Sequence, residues 1–181
     1  MGLAKNFELE KMVMGVIFHN REKYAEAMSA LREKFGNTDF STEEFSFTKE
    51  FSSYYDDEIG GEATRIIYSF ESLVDPSRQS EIKIFTNELE ARLSLDGKRQ
   101  VNLDPGFLSH GRLMLATTKK TGFRIPLSDG IYTELTLFYS RGGWQKFPWT
   151  YRDYQSERVT SFLCEVRKRY LEQRKAVCVS P

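Results

Sequence analysis

The sequence predicts an α+β protein, a ferredoxin-like (split β-α-β) antiparallel sheet with two helices, extended by C-terminal hairpins and a long C-terminal helix. Three observations predict it. Up to about residue 104 the segments run strand, helix, strand, strand, helix, strand. Beyond residue 122, apolar runs separated by glycine turns read as hairpins. The last stretch is charged but carries one apolar stripe at helical spacing.

Each element has its own signal. Met12 to Phe18 is an almost unbroken apolar run, which suits a central strand covered on both faces. Asn20 stands where an N-cap belongs, Tyr24, Ala27, Met28, Leu31 and Phe35 recur at helical spacing, and Gly36 closes the helix. Thr38 to Thr48 alternates and is aromatic, predicting an irregular strand that ends near Lys49. Phe51 to Gly61 reads as an aromatic, acidic loop, and Thr64 to Leu73 as a strand. Asp75-Pro76 opens a second helix whose buried stripe is Ile82, Phe85, Leu89 and Leu93, ending by Gly97.

Arg99 to Leu103 is the next strand, and Asp104-Pro105-Gly106 predicts a sharp turn, with φ fixed at the proline and free at the glycine. Leu108 to Thr118 fits either a short helix capped by Ser109 or a strand, and helix is the reading preferred. Phe123 to Leu127, Ile131 to Tyr139 and Trp144 to Phe147 are strand-like and are joined through Ser128-Asp129-Gly130 and Arg141-Gly142-Gly143. Val159, Phe162, Leu163, Val166 and Tyr170 mark the long final helix, capped by Ser156 and fraying after Lys175.

The 181 residues suit one domain, with residues 12–104 as the ferredoxin-like unit and 107–175 as an extension packed on it. Lys plus Arg and Asp plus Glu both number 26, so no global field attracts a nucleic-acid backbone or an anionic membrane. Cys164 and Cys178 fit no metal-ligand spacing and read as free thiols in a reducing cytoplasm. The first apolar run is too short to cross a membrane.

Four stretches have side chains suited to chemistry. Asn102, Asp104, His110 and Arg112 lie around the predicted strand end, where polar groups are readily presented to a ligand; a structural turn in which Asp104 caps backbone amides and His110 is merely exposed is the reading preferred on sequence alone. Thr117, Thr118, Lys119 and Arg124 combine hydroxyls and cations in a loop that can hold a phosphate, although no P-loop pattern is present. Phe147 to Tyr154 is dense in aromatics, with Tyr151 and Arg152 able to stack on or pair with a base or sugar, or simply to plug the core. Tyr54 to Glu58 clusters carboxylates without EF-hand spacing. His19 and His110 have no cysteine partner, so covalent catalysis and a zinc site are not indicated.

The segments Gly15-Val16-Ile17-Phe18, Phe70 to Pro76, Ile82-Lys83, Thr86-Asn87, Val101 to Gly106, Ala116 to Lys119, Gly130 to Glu134 and Pro148 to Tyr151 resemble a bacterial family catalogued as domain of unknown function 4416. Some of its members have an automatic GTP-binding label, yet this chain has neither a Walker loop nor an N-K-x-D motif. The resemblance implies that Asn87, Asn102, Asp104, Thr117, Thr118, Lys119 and Tyr151 share one pocket, suited to a phosphorylated or nucleotide-like molecule. A small anionic ligand is therefore the expected partner. An RNA-binding module and a non-catalytic protein-interaction domain are the alternatives. Reaction type, cofactor and oligomeric state are not encoded in any motif.

Overall fold

A computed structural model describes residues 2–179, with side chains for 2–176, so the thiol of Cys178 lies outside the described residues. Strand β1 (Glu10–Phe18) is buried along its whole length, as an apolar run flanked on both faces requires. Helix α1 (Arg21–Phe35) starts at Asn20, whose Oδ1 accepts from the Glu22 and Lys23 amides at 3.0 and 3.1 Å. It ends at Gly36, at φ 87°.

The predicted strand over 38–48 is broken in two, β2 (Thr38–Ser41) and β3 (Phe45–Ser46). Ser46 then caps a helical turn, α2 (Phe47–Glu50), by accepting from the Lys49 amide, so the side-chain cap ends the strand early. A second turn, α3 (Asp56–Ile59), sits inside the expected acidic loop. Strand β4 (Thr64–Val74) follows, then helix α4 (Gln79–Arg92) after a 3-10 turn capped by Asp75.

Strand β5 (Val101–Leu108) runs straight through Asp104-Pro105-Gly106, so the predicted turn is absent. Gly106 is needed for close approach rather than for a positive φ: a Cβ there would lie 2.6 Å from the Met114 carbonyl oxygen. The predicted helix over 108–118 is also a strand, β6 (Arg112–Thr117). Its Leu113 and Leu115 join the apolar core while Arg112 and Met114 are only half-buried, the alternation of a strand. Ser109 turns the β5–β6 hairpin instead of capping a helix, its amide donating to the Arg112 carbonyl.

Only Ile125–Pro126 of the next predicted strand pairs, as β7; β8 (Tyr132–Ser140) and β9 (Gly143–Lys146) form as expected. Helix α5 (Glu157–Val179) accepts its cap from Ser156, whose Oγ takes the Val159 amide, and continues past the predicted fray at Lys175.

The strands form one antiparallel sheet in the order β2-β4-β1-β5-β6-β8-β7, with β3 on β4 and β9 on β8. Alternate residues of β1 face opposite layers. Met12, Met14, Val16 and Phe18 pack under α1 and α4, against Leu31, Ile82 and Leu89. Val13 faces α5, with Val159, Leu163 and Val166. Each such fully buried aliphatic side chain contributes about 1.5–3 kcal/mol by transfer from water. Among the described residues no helix is long and apolar enough to cross a membrane.

Candidate functional site

The site lies where two neighbouring strands part. β5 and β6 pair only from Gly106↔Leu115 to Leu108↔Leu113. Past that point β5 continues on β1 and β6 continues on β8, each held by its outer neighbour. Pro105 stands at the fork, and having no N–H it leaves no ladder donor unmet there.

Two adjoining cavities occupy the opening. One, of about 350 Å³, is an aromatic chamber with Phe47, Phe51, Tyr55, Leu115 and Tyr154 in its wall. The other, of about 600 Å³, is a polar basin bounded by Lys83, Asn87, Glu90, Lys98, Arg99 and Asn102. Tyr54, Tyr55, Asp104, Ala116, Thr117, Lys119 and Tyr151 line both. Among the described residues, Asp104 is the one carboxylate common to the two.

Behind the chamber, the buried Arg65 guanidinium forms an ion pair with Asp153 at 2.9 Å, angled outside hydrogen-bond geometry, and lies 3.6 Å from Asp104 Oδ2. It is sandwiched near the rings of Phe47 and Tyr154. Gly15 makes room for it: a Cβ on Gly15 would sit 2.7 Å from Arg65 Nη2. Burial raises the Asp153 carboxyl, with Arg65 opposing it. Burial also raises the Tyr55 phenol, and the Asp104 carboxylate adds to the effect, so Tyr55 stays a hydrogen-bond donor.

In the basin a chain of contacts runs from Glu58 to Asp104. Arg99 pairs with Glu58 at 2.6 Å and donates to Glu90 Oε2 at 3.0 Å and to Asn102 Oδ1 at 2.6 Å. Asn102 Nδ2 in turn donates to Asp104 Oδ2 at 2.8 Å. Lys83 Nζ donates to the Leu103 carbonyl at 2.7 Å and stands 3.9 Å from Asp104 Oδ1. Glu90 Oε1 accepts the Leu103 amide at 2.6 Å, and burial pushes its carboxyl up to about 7. Lys98 and Lys119 are exposed, and among the described residues neither ammonium has a carboxylate partner.

Over the mouth, Lys119 Nζ reaches the Tyr54 hydroxyl at 3.3 Å and lies over the Tyr54 ring. Arg124 is a strut rather than a free cation. Its Nε donates to buried Glu134 at 2.7 Å, its Nη1 to the Lys119 carbonyl at 2.8 Å and its Nη2 to the Tyr151 hydroxyl at 2.9 Å.

Seven residues singled out by the family resemblance, Asn87, Asn102, Asp104, Thr117, Thr118, Lys119 and Tyr151, all line the basin. His110 and Arg112 do not join them. They sit at the far tip of the β5–β6 hairpin, where Arg112 pairs with Glu10 at 2.6 Å and Arg167 Nε donates to the His110 carbonyl. Because the segment is a strand, the rise of about 3.3 Å per residue carries them roughly 15–20 Å from Asp104. Of the aromatics from Phe147 on, Phe147 and Trp149 stack in one column with Phe123 and Tyr154 is buried, which leaves Tyr151 at the cavity wall. In the acidic loop Asp56 accepts from Thr48, and Glu58 is bound to Arg99. His19 lies over Gly61 in a separate hollow.

Sequence reasoning missed Arg65, Lys83, Glu90, Arg99, Glu134 and Asp153. One signal was present: Lys83, Asn87 and Glu90 recur at helical spacing beside an apolar stripe, a polar seam on α4 that turns toward β5. A family model described as a domain of unknown function (DUF4416) matches residues 8–170. No curated protein and no solved structure matches the chain.

Proposed function

The chain belongs to that family, DUF4416, and we propose that it binds a small two-part ligand of the nucleotide kind, a flat apolar group joined to an anionic one. One observation carries this: an aromatic chamber and a basin in which Lys98 and Lys119 have no carboxylate partner among the described residues adjoin across a shared wall. Both volumes fall in the range usual for small-molecule sites, about 300–1,000 Å³. Tyr54, Tyr55 and Phe51 offer ring faces to the flat group, while Lys98 and Lys119 offer ammonium donors to the anion.

The finer fold reading supports the same location. We take residues 12–104 as a ferredoxin-like unit, for which the order β2-β4-β1-β5 is the support, and 107–175 as an extension of the same domain. The site then lies on their join. A reducing bacterial cytoplasm suits it, as Cys164 is a free thiol. An RNA-binding module has less support, because helices cover both faces of β1 and its neighbours.

Thermal unfolding of the full chain with nucleoside mono-, di- and triphosphates tests the proposal. A ligand at about 100 times its Kd stabilises the folded state by about 2.7 kcal/mol, or roughly 5–10 °C in a protein of this size. Lys119→Ala should reduce that shift without lowering the unliganded midpoint. No shift with any of these compounds refutes the proposal.

A further inference from the structure

We infer that Asp104 holds a hydroxyl group on the segment linking the flat and anionic ends of the ligand, so that the site selects a ribose-like, hydroxylated linker. This rests on the two-part ligand proposed above and adds what joins its parts. Asp104 stands at the junction of chamber and basin, in the wall of both. Its two oxygens differ. Oδ2 accepts from Asn102 and lies 3.6 Å from Arg65 Nη1, whereas Oδ1 has no hydrogen bond among the described residues and stands 3.9 Å from Lys83 Nζ.

The side chain remains 27% exposed and lines both cavities, so the carboxylate is open to a ligand rather than sealed in the core. A carboxylate oxygen in this state accepts a donor and repels an anion. The phosphate-like group therefore belongs with the ammonium groups of Lys98 and Lys119 rather than with the Asp104 carboxylate, and the group that meets Asp104 must be an O–H or N–H donor. Asn102 fixes the carboxylate from below and is itself fixed by Arg99, so Oδ1 is held in place before a ligand arrives. A ligand spanning both cavities must pass this point, and a hydroxylated linker there meets the acceptor.

The test is isothermal titration of the full chain with the ribonucleoside 5′-monophosphates and their 2′-deoxy and 3′-deoxy counterparts. At least one ribonucleotide should bind, and loss of the hydroxyl that reaches Asp104 should weaken it roughly tenfold or more, as for a hydrogen bond to a charged group. Asp104→Asn, which keeps the shape, should level that difference. The wild-type comparison needs no variant and so stands even if the substitution impairs folding. Equal binding of ribo and deoxy forms by the wild type overturns the inference while leaving the two-part ligand intact. Discrimination that survives Asp104→Asn removes Asp104 from the role. Absence of binding by every one of these monophosphates overturns the inference, and the two-part ligand falls with it when di- and triphosphates also give no thermal shift.

Discussion

Glu90 offers a direct measure of how the basin's charges balance. The residue is 6% exposed, and burial lifts its carboxyl from about 4.5 to about 7 in spite of Lys83, Arg99 and the Leu103 amide. Below the unfolded value both states hold the proton, and the group contributes nothing. Between the two values the unfolded chain ionises while the folded one keeps its proton, so stability is lost progressively as pH rises. Above about 7 the loss is complete. A separation of about 2.5 units at 1.36 kcal/mol each makes it about 3 kcal/mol.

Glu90→Gln cannot titrate, and any mismatch of its amide with Arg99 adds an offset that does not change with pH. The quantity to measure is therefore the stability of the wild type minus that of Glu90→Gln, from urea unfolding at intervals from pH 4.5 to 8. It should fall by about 3 kcal/mol and level off near neutrality. A flat difference, or one that rises with pH, would show that Arg99 and Lys83 outweigh burial and that the basin binds a charged Glu90.

Gly106→Ala places a methyl group against the Met114 carbonyl and the Leu115 side chain, each 2.6 Å away, and should cost about 1–3 kcal/mol by urea unfolding; a neutral result would mean that β5 and β6 are not locked there. Arg124→Met strands the buried Glu134 carboxylate and should cost about 3–5 kcal/mol near neutral pH, less at pH 4, where protonation removes the charge; an equal cost at both is the refuting outcome. Leu163→Ala, at a fully buried position of α5, should cost about 2–5 kcal/mol with an unchanged urea m-value, and a cost below about 1 kcal/mol would contradict the packing described.

Local signals were legible wherever the chain's neighbours in sequence decide the structure. Asn20 and Gly36 bound α1 because capping is a contact within one turn, and Ser156 caps α5 for the same reason. Asp104-Pro105-Gly106 misled because its turn chemistry is outweighed by pairing with β1 and by the tight contact of Gly106 with β6. That error carried another with it. A helix over 108–118 rises only about 1.5 Å per residue and would have kept His110 and Arg112 near Asp104, whereas a strand takes them to the far tip. The pairing of Arg65 with Asp153, or of Arg124 with Glu134, joins residues that no periodicity relates. Such contacts become visible only once the sheet order is known.

The depth of the fork between β5 and β6 is set by where their ladder stops, at Gly106↔Leu115. Each strand keeps its outer ladder, so the gap can lengthen by releasing one β5–β6 pair at a time without unravelling the rest of the sheet. The first pair in line is Gly106↔Leu115, and α5 packs on both Leu113 and Val13, spanning the seam from behind. The ladder thus stops at its tightest contact, Gly106 against the Met114 carbonyl oxygen, with α5 packed behind the two strands. The length of the opening is therefore set at Gly106, a residue outside both cavity walls.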